Sequence, residues 1–395
     1  MSRLAILVSH PTQYYSPWFR WLQQTEGWRL RVFYLWDAGV KPTHDPHFQK
    51  TFAWDVDLLS GYEHEFVPNV ANPPTTEHYK GLDNPTLTRR LASWKPDCLL
   101  VFGYAYRSHL RAMVWAWRTR TPLIFRGYSH FLGRSPSTGM KGWLQRFLYR
   151  RFSAITFVGK ANRAYFEDLG VRANKLFFAP HCVDHTLFDS SLPAHQEQCH
   201  HLRQQLGIDP STRVVLFAGK LIPSKQPREL LNAFIDLARP KTALIIVGDG
   251  EEKAALQARA FTSGYVDKSV FFLPFTNQGD MPSRYLLASL FVLPSRGVYE
   301  TWGLTVNEAM MMSVPCLVSD RVGCQRDLVT HGETGWVFKA DDYLALREGL
   351  RQALDSLDQD EERFRSAVRT RIAGYTYAQA SKGLKDAVAH AVGDS

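Results

Sequence analysis

The chain has no apolar run approaching the roughly 20 residues of a membrane span, so nothing in it reads as a transmembrane helix. Cysteine is scarce: five residues, at 98, 182, 199, 316 and 324, odd in number and without a CxxC pair. That excludes a disulfide scaffold and points to a reducing cytoplasm. The N-terminal run Arg3-Leu-Ala-Ile-Leu-Val8 is too short for a signal-peptide core and lacks a cleavage site, so it reads as a first strand. The turn after it, Ser9 to Trp18, contains no glycine, which removes the usual phosphate loop of a first βα turn. Potential metal ligands group at His195-Gln-Glu-Gln-Cys-His-His201. They lie in what reads as an exposed connection with no partner cluster elsewhere, and no bound metal is expected. No nucleic-acid motif accompanies the basic balance, and no nucleic acid is expected as a partner.

What is present begins with length. At roughly 100–200 residues per domain, 395 residues suggest two domains, and an apolar content of 45% fills their cores. Net charge is +9, unevenly spread. Residues 1–190 hold 24 Lys/Arg and 14 Asp/Glu, whereas residues 191–395 hold 23 and 24. Within 107–175 there are 14 basic residues against two acids, Glu167 and Asp168, so the first half meets something negative.

Strands and helices alternate throughout. Strands are expected at Leu4–Val8, Leu30–Leu35, Cys98–Phe102, Leu123–Phe125, Ala154–Val158 and Leu176–Ala179. The second half offers Val214–Ala218, Ala243–Val247, Val270–Leu273, Leu290–Leu293, Val314–Val318 and Gly335–Phe338. Continuous apolar runs, rather than alternating ones, imply parallel sheets covered on both faces. The fold class is therefore α/β with two doubly wound, Rossmann-like domains: 1–190, then a linker at about 190–205, then 205–376.

The stretch Ser295–Glu308 connects one buried strand to a helix, where such folds keep ligands. It sets Glu300 and Glu308 eight residues apart, with Gly303 at the helix entrance. The backbone amides of Gly303, Leu304 and Thr305 would point at a ligand above them. A plainer reading stands beside this one: Thr305-x-x-Glu308 is also a capping box. Three further turns end strands on the same sheet edge. Lys220 and Lys225 lie in the loop after Phe217, placed to clamp a diphosphate; Gly248-Asp249-Gly250 follows Val247; Pro274-Phe275 closes the next strand. In the first half, His10 and Gln13 are candidate ligand contacts in the first turn, with Pro17 in the opening turn of the next helix and Ser16 as its cap. Arg126 and His130 follow Leu123–Phe125, facing the cleft or capping and pairing locally.

Residues 140–152 are sharply amphipathic. Met140, Trp143, Leu144, Phe147, Leu148 and Phe152 share one helical face, with Lys141, Arg146, Arg150 and Arg151 opposite. Such a helix lies in a membrane interface or packs in a core with a solvated basic face. In either case its arginines suit an anionic surface.

Taken together, Lys220…Lys225, Gly248-Asp-Gly250, Leu290–Ser295, Glu300-Thr-Trp-Gly-Leu-Thr-Val-Asn-Glu308, Ala179–Asp184 and Val322–Gly335 resemble the retaining family 4 glycosyltransferases, which have the GT-B fold. The likeness covers about residues 120–340; the first hundred match in architecture alone. It implies a sugar nucleotide, UDP- or GDP-linked, held mainly by the second domain. Glu300 would hold the donor sugar's hydroxyls, Glu308 the ribose, the amides near Gly303–Thr305 the diphosphate, and Phe275 the base. Lys220 and Lys225 would neutralise the leaving group, with no metal or other cofactor. Transfer of a hexosyl-type sugar would retain configuration. It would go to a glycan or lipid-linked hydroxyl of bacterial polysaccharide type, from a cytoplasmic enzyme peripheral to the inner membrane face and docked through 107–175. The last helix, about 377–392, would cross back to the first domain. Two other readings remain open: a small soluble acceptor, or a sugar-nucleotide-binding protein without transfer. There are departures. Lys220 stands where the family usually has Arg, His181-Cys182 where Asn-Gly is common, and the family's usual histidine after the fourth strand has no clean counterpart, leaving Arg126 and His130 as nearby candidates for the acceptor side.

Overall fold

The computed structural model describes residues 2–297 and 300–393; Val298 and Tyr299, inside the Ser295–Glu308 stretch, lie outside the described residues. Arg3–Val8 (β1) and Arg29–Tyr34 (β2) pair in parallel, with the apolar run Leu4–Val8 buried along its length and Val32–Tyr34 buried beside it. A small antiparallel hairpin follows, Thr43–Asp45 (β3) and Lys50–Phe52 (β4), outside the main sheets. Then come His64–Phe66 (β5), Cys98–Phe102 (β6), Leu123–Arg126 (β7), Ala154–Phe157 (β8) and Leu176–Phe178 (β9). They complete a seven-stranded sheet of order β5-β2-β1-β6-β7-β8-β9.

The second sheet has six parallel strands: Arg213–Ala218 (β10), Thr242–Val247 (β11), Val270–Leu273 (β12), Leu290–Leu293 (β13), Cys316–Ser319 (β14) and Gly335–Phe338 (β15). Its order is β12-β11-β10-β13-β14-β15, that of a doubly wound domain with its switch point between β10 and β13. Leu216 pairs with both Ile245 and Phe291, at the centre of the sheet. One face buries Phe217 and Leu244 under the helices Pro227–Leu237 and Tyr343–Ile372; the other buries Leu216 and Ile245 under Met281–Leu287 and Leu304–Met311. The twelve expected strands are all present. The hairpin β3–β4 and the edge strand β5 are additions, too short and polar to register as apolar runs.

Between the sheets, the segment expected as a linker is helical over Pro193–Gln205 and packs on the Met281–Leu287 helix. His195 is buried there, with Nε2 against the Leu187 carbonyl at 2.8 Å. The helix Tyr377–Val392 returns to the first sheet and lies across β6 to β9. It is opened by Thr376, whose hydroxyl accepts from the Gln379 amide. Gly383 permits the approach: a Cβ there would stand 1.9 Å from the Phe178 carbonyl oxygen. Trp18 Nε1 donates to Ser381 Oγ at 3.2 Å, tying this helix to Ser16–Gln24. That first helix starts at Ser16 with Tyr15 at its cap position and no side-chain cap, so Ser16 is helical rather than the expected cap.

Candidate functional site

The carboxyl ends of β10 and β11 can lie together only because of glycine. A Cβ on Gly248 would meet the Gly219 carbonyl oxygen at 2.0 Å. Beside them, Gly303 takes φ +95°, a left-handed turn that starts the Leu304–Met311 helix without a side-chain cap. The capping box is therefore not formed. Thr305 is already the second helical residue, and Glu308 lies inside the helix with its carboxylate turned to the cleft. Among the described residues, the Leu304 and Thr305 amides have no protein acceptor, as expected of a helix start.

Glu308 is 2% exposed. Its Oε1 accepts from Tyr14 Oη at 2.9 Å and Gln278 Nε2 at 2.9 Å, and its Oε2 from Tyr285 Oη at 2.7 Å. Burial raises its pKa; the three donors oppose this without cancelling it. Tyr14 belongs to the first domain, in the turn after β1, so the carboxylate is reached from both sides of the cleft. Gln13, next to it, lines the same cavity. His10 does not: its Nδ1 meets Ser9 Oγ at 3.0 Å, its ring packs edge-on to Trp36, and burial pushes its pKa down to about 4.

Glu300 Oε2 pairs with Lys225 Nζ and accepts from Ser295 Oγ at 2.9 Å. Lys220 Nζ meets Asp45 Oδ2 of the hairpin at 3.0 Å and lies 5.1 Å from the Phe48 ring centroid. Asp249 accepts from the Phe275 amide at 2.9 Å and pairs with Lys253 and with Lys50 of the hairpin, the latter at 2.9 Å. Burial raises its pKa, but Lys253, the Phe275 amide and Lys50 outweigh that and hold it at about 2. Asp249 therefore fixes the loop that carries Phe275. That ring is itself packed by Phe52 at 4.5 Å and Phe48 at 4.8 Å.

Arg126 and His130 do not join this group. Arg126 is 1% exposed, donates Nη1 to the Ala179 carbonyl at 2.9 Å, and lies over the Trp18 ring at 5.0 Å. Burial depresses its pKa, and it braces the end of β7 against the segment entering Pro180. It pairs locally because its guanidinium turns under Trp18 to the carbonyls of Ala179 and Pro180. His130 is also buried. The Leu132 amide donates to its Nδ1 at 3.1 Å, which leaves the proton on Nε2, 3.2 Å from the Glu300 carbonyl oxygen. Burial lowers its pKa. It touches the Glu300 loop through backbone, not chemistry.

Glu300, Glu308, Lys220, Lys225, Gly303, Leu304, Thr305, Gly248, Asp249 and Phe275 thus gather at one sheet edge. Of these, Gly248, Phe275, Thr305 and Glu308 line a cavity of about 90 Å³, together with Gln13, Tyr14, Phe48 and Trp54 from the first domain. Nothing in the sequence marks Tyr285, Gln278, Asp45, Lys50 or Phe48 as neighbours of this site. Tyr14 lies in the Ser9–Trp18 turn, but no local signal distinguishes this one residue.

Two family models match the chain: the glycosyl transferase 4-like domain over residues 11–181 and glycosyl transferases group 1 over residues 200–371. An uncharacterised glycosyltransferase, MJ1607, of Methanocaldococcus jannaschii is 32% identical over 138 residues, 34% of each chain. The D-inositol 3-phosphate glycosyltransferase of Jonesia denitrificans is 32% identical over 162 residues, 39% of this chain and 37% of the relative. The matched segments thus span about a third of these relatives' lengths. Among solved structures, Anabaena Alr3699/HepE in complex with UDP superposes with a TM-score of 0.72 at 19% identity, covering 98% of both chains. WaaG, a glycosyltransferase involved in lipopolysaccharide biosynthesis, gives 0.61 at 15% identity, covering 98% of this chain and 99% of that one. These two likenesses concern the fold.

Proposed function

Because the chain belongs to the family 4 glycosyltransferases of GT-B fold, we propose that it moves a hexosyl-type sugar, with retention, from a UDP- or GDP-linked donor to a glycan or lipid-linked hydroxyl. The observation that carries this is the convergence of Glu300, Glu308, Lys220 and Lys225 on one sheet edge at the switch point, beside the Leu304 and Thr305 amides, which have no acceptor among the described residues. Glu308 binds the ribose. A carboxylate has about four lone-pair sites, and three are occupied by Tyr14, Gln278 and Tyr285, leaving one for a hydroxyl. Glu300, released from Lys225, holds the donor sugar. Lys220, Lys225 and the helix start take the charge that builds on the departing diphosphate, where preorganised cations act most strongly. The acceptor hydroxyl attacks from the face the diphosphate leaves and gives its proton to a diphosphate oxygen. The reading asks for no metal ion.

The related proteins support the donor and acceptor classes. HepE has been solved in complex with UDP-glucose. A relative from Mycolicibacterium smegmatis is a GDP-mannose-dependent phosphatidylinositol monomannoside mannosyltransferase, 29% identical over 199 residues. The base is left to experiment.

A membrane-face acceptor is favoured over a soluble one by the Gly139–Arg150 helix. Its Met140, Trp143, Leu144 and Phe147 are 73%, 58%, 52% and 46% exposed. The core contacts are made instead by Tyr149 and Leu148, with Phe152 just beyond the helix. Arg150, Arg172 and Lys175 line a cavity of about 520 Å³ at the helix end. Apolar side chains with basic neighbours suit an anionic lipid surface, and we place the enzyme peripherally on the inner membrane face. No described helix is long and apolar enough to cross a membrane.

The test is calorimetric titration with UDP, GDP and ADP and their sugar conjugates, on the wild type and on Glu308→Ala. One base should bind, and the variant should lose about 10- to 100-fold in affinity, as expected for hydrogen bonds to a charged group. Undiminished binding by the variant removes Glu308 from the ribose. Tight donor binding with neither transfer nor slow hydrolysis would leave a binding protein instead of an enzyme.

A further inference from the structure

The hairpin β3–β4 belongs by sequence to the first domain, yet its side chains are spent on the second. Asp45 pairs with Lys220 and Lys50 with Asp249, while Phe48 and Phe52 enclose Phe275. Just beyond, the Ala53 carbonyl accepts from Asn277 Nδ2 at 2.8 Å and Asp55 accepts from the Gly279 amide at 3.1 Å. Resting on the donor-site reading above, we propose that this hairpin is a plug that the donor displaces. Asp45 stands where the diphosphate would sit on Lys220, and Phe48 with Phe52 stands where the base would sit on Phe275. A nucleoside diphosphate binds by expelling them.

Space argues for displacement over simple coverage. About 90 Å³ remains in the cavity, whereas pockets for ligands of this size are about 300–1,000 Å³. One wall is the rigid end of the six-stranded sheet, at Gly219 and Gly248. The other is Phe48 and Trp54, and this is the wall that yields. Two strands of three residues have little stability alone. The polar ties are part-exposed: side-chain exposures are 29% and 26% for Lys220–Asp45, and 43% and 11% for Lys50–Asp249. Part-exposed ion pairs contribute little and exchange readily. The plug consequently multiplies the intrinsic donor affinity by the fraction of molecules that are open, and it keeps the lysines neutralised when no donor is present.

Two variants separate a plug from a clamp that closes over bound donor. Asp45→Asn keeps the Oδ1 acceptor used by the His47 amide at 2.9 Å and the Phe48 amide at 3.0 Å, so the turn persists while the attraction for Lys220 is lost. Phe48→Ala changes no charge, so any gain it brings is not an electrostatic effect on an anionic ligand. Calorimetry with UDP, GDP and ADP should give tighter binding of the preferred nucleotide, by about threefold for Asp45→Asn and about fivefold for Phe48→Ala. Hydrogen exchange across 43–52 should speed up when that nucleotide is added to the wild type. Weaker binding by Phe48→Ala, or slower exchange in 43–52 with nucleotide, overturns the proposal in favour of a clamp. Wild-type affinity in both variants overturns the plug and leaves the donor reading standing. If none of the three proteins binds any nucleotide, the donor reading falls and the plug falls with it.

Discussion

A carboxylate taken out of water costs several kcal/mol unless donors surround it, and Glu308, buried to 2% exposure, has three. They do not cancel the cost, since burial leaves its pKa raised. For an acid whose folded pKa is raised, the penalty is fully present above that pKa. It is relieved as pH falls through it toward the unfolded value. Glu308→Gln should therefore be more stable than the wild type, because its carbonyl can still accept from Tyr14 and Gln278 while its amide donates to the Tyr285 oxygen. The gain in thermal midpoint should be larger at pH 8 than at pH 4.5, and nucleotide affinity should fall about tenfold or more. Thermal melts at the two pH values, with one calorimetric titration, check all three. No gain in midpoint, or a larger gain in acid, would contradict the account. Glu300, Lys220 and Lys225 were legible in sequence because each follows a strand that announces itself. The surroundings of Glu308 were not: its partners lie 294, 30 and 23 residues away, and nothing in a tyrosine's neighbours says which carboxylate it will meet. Arg126 shows the opposite limit. A charged residue at a strand's end reads as a site residue, and only the packing of Trp18 over it places it in the core.

At the scale of elements, the continuous apolar strands announced the two sheets because a strand covered on both faces has one composition available to it. The hairpin Thr43–Asp45/Lys50–Phe52 had no such signature, since its apolar residues find cover on another domain. The Gly139–Arg150 helix was legible as amphipathic, but periodicity does not tell which face turns inward. Here Tyr149 and Leu148 face the core, and Trp143 stacks on Phe147 outside it, with centroids 5.6 Å apart. Replacing both aromatics with glutamate should cut binding to vesicles containing anionic lipid by about ten- to a hundredfold at ~0.1 M salt, through lost apolar insertion and lost charge. Stability should stay within about 0.5 kcal/mol, as for other surface changes. Co-sedimentation and a melt decide it. Unaltered sedimentation, or wild-type protein that ignores such vesicles at low salt, would return the helix to an ordinary solvated role.

For the molecule as a whole, the two domains were legible from the repeated alternation of strand and helix, whereas their mutual closure was not. The cleft is crossed by polar contacts of distant origin: Tyr14 to Glu308, Asp45 to Lys220, Lys50 to Asp249, and His130 to the Glu300 carbonyl. Another such contact is made by Asp327, whose carboxylate accepts from the Lys160 amide at 3.0 Å. Of these, the part-exposed ion pairs should weaken with salt while the buried contacts hold. Raising sodium chloride from about 0.05 to 0.5 M, across which the Debye length falls from about 14 to 4 Å, should speed hydrogen exchange in 43–52 and leave β10 and β13 protected. Exchange that ignores salt would assign the closure to Phe48, Phe52 and Phe275 alone.

The returning helix Tyr377–Val392 has a consequence for how the chain is made. Its Tyr377, Ala380, Leu384, Ala387 and Val388 complete the cover over Leu4, Ile6, Leu100, Phe102 and Ile124. The first domain, whose strands leave the ribosome before those of the second, waits for one side of its core until residues 377–392 are translated. At ~5–20 residues per second, the roughly 200 residues in between take about 10–40 s. Through that interval this part of the sheet face stands open to chaperones and to other nascent chains, and the second domain receives its long helix Tyr343–Ile372 before the first receives Tyr377–Val392. Of the two domains, the one made first is the one that finishes folding last.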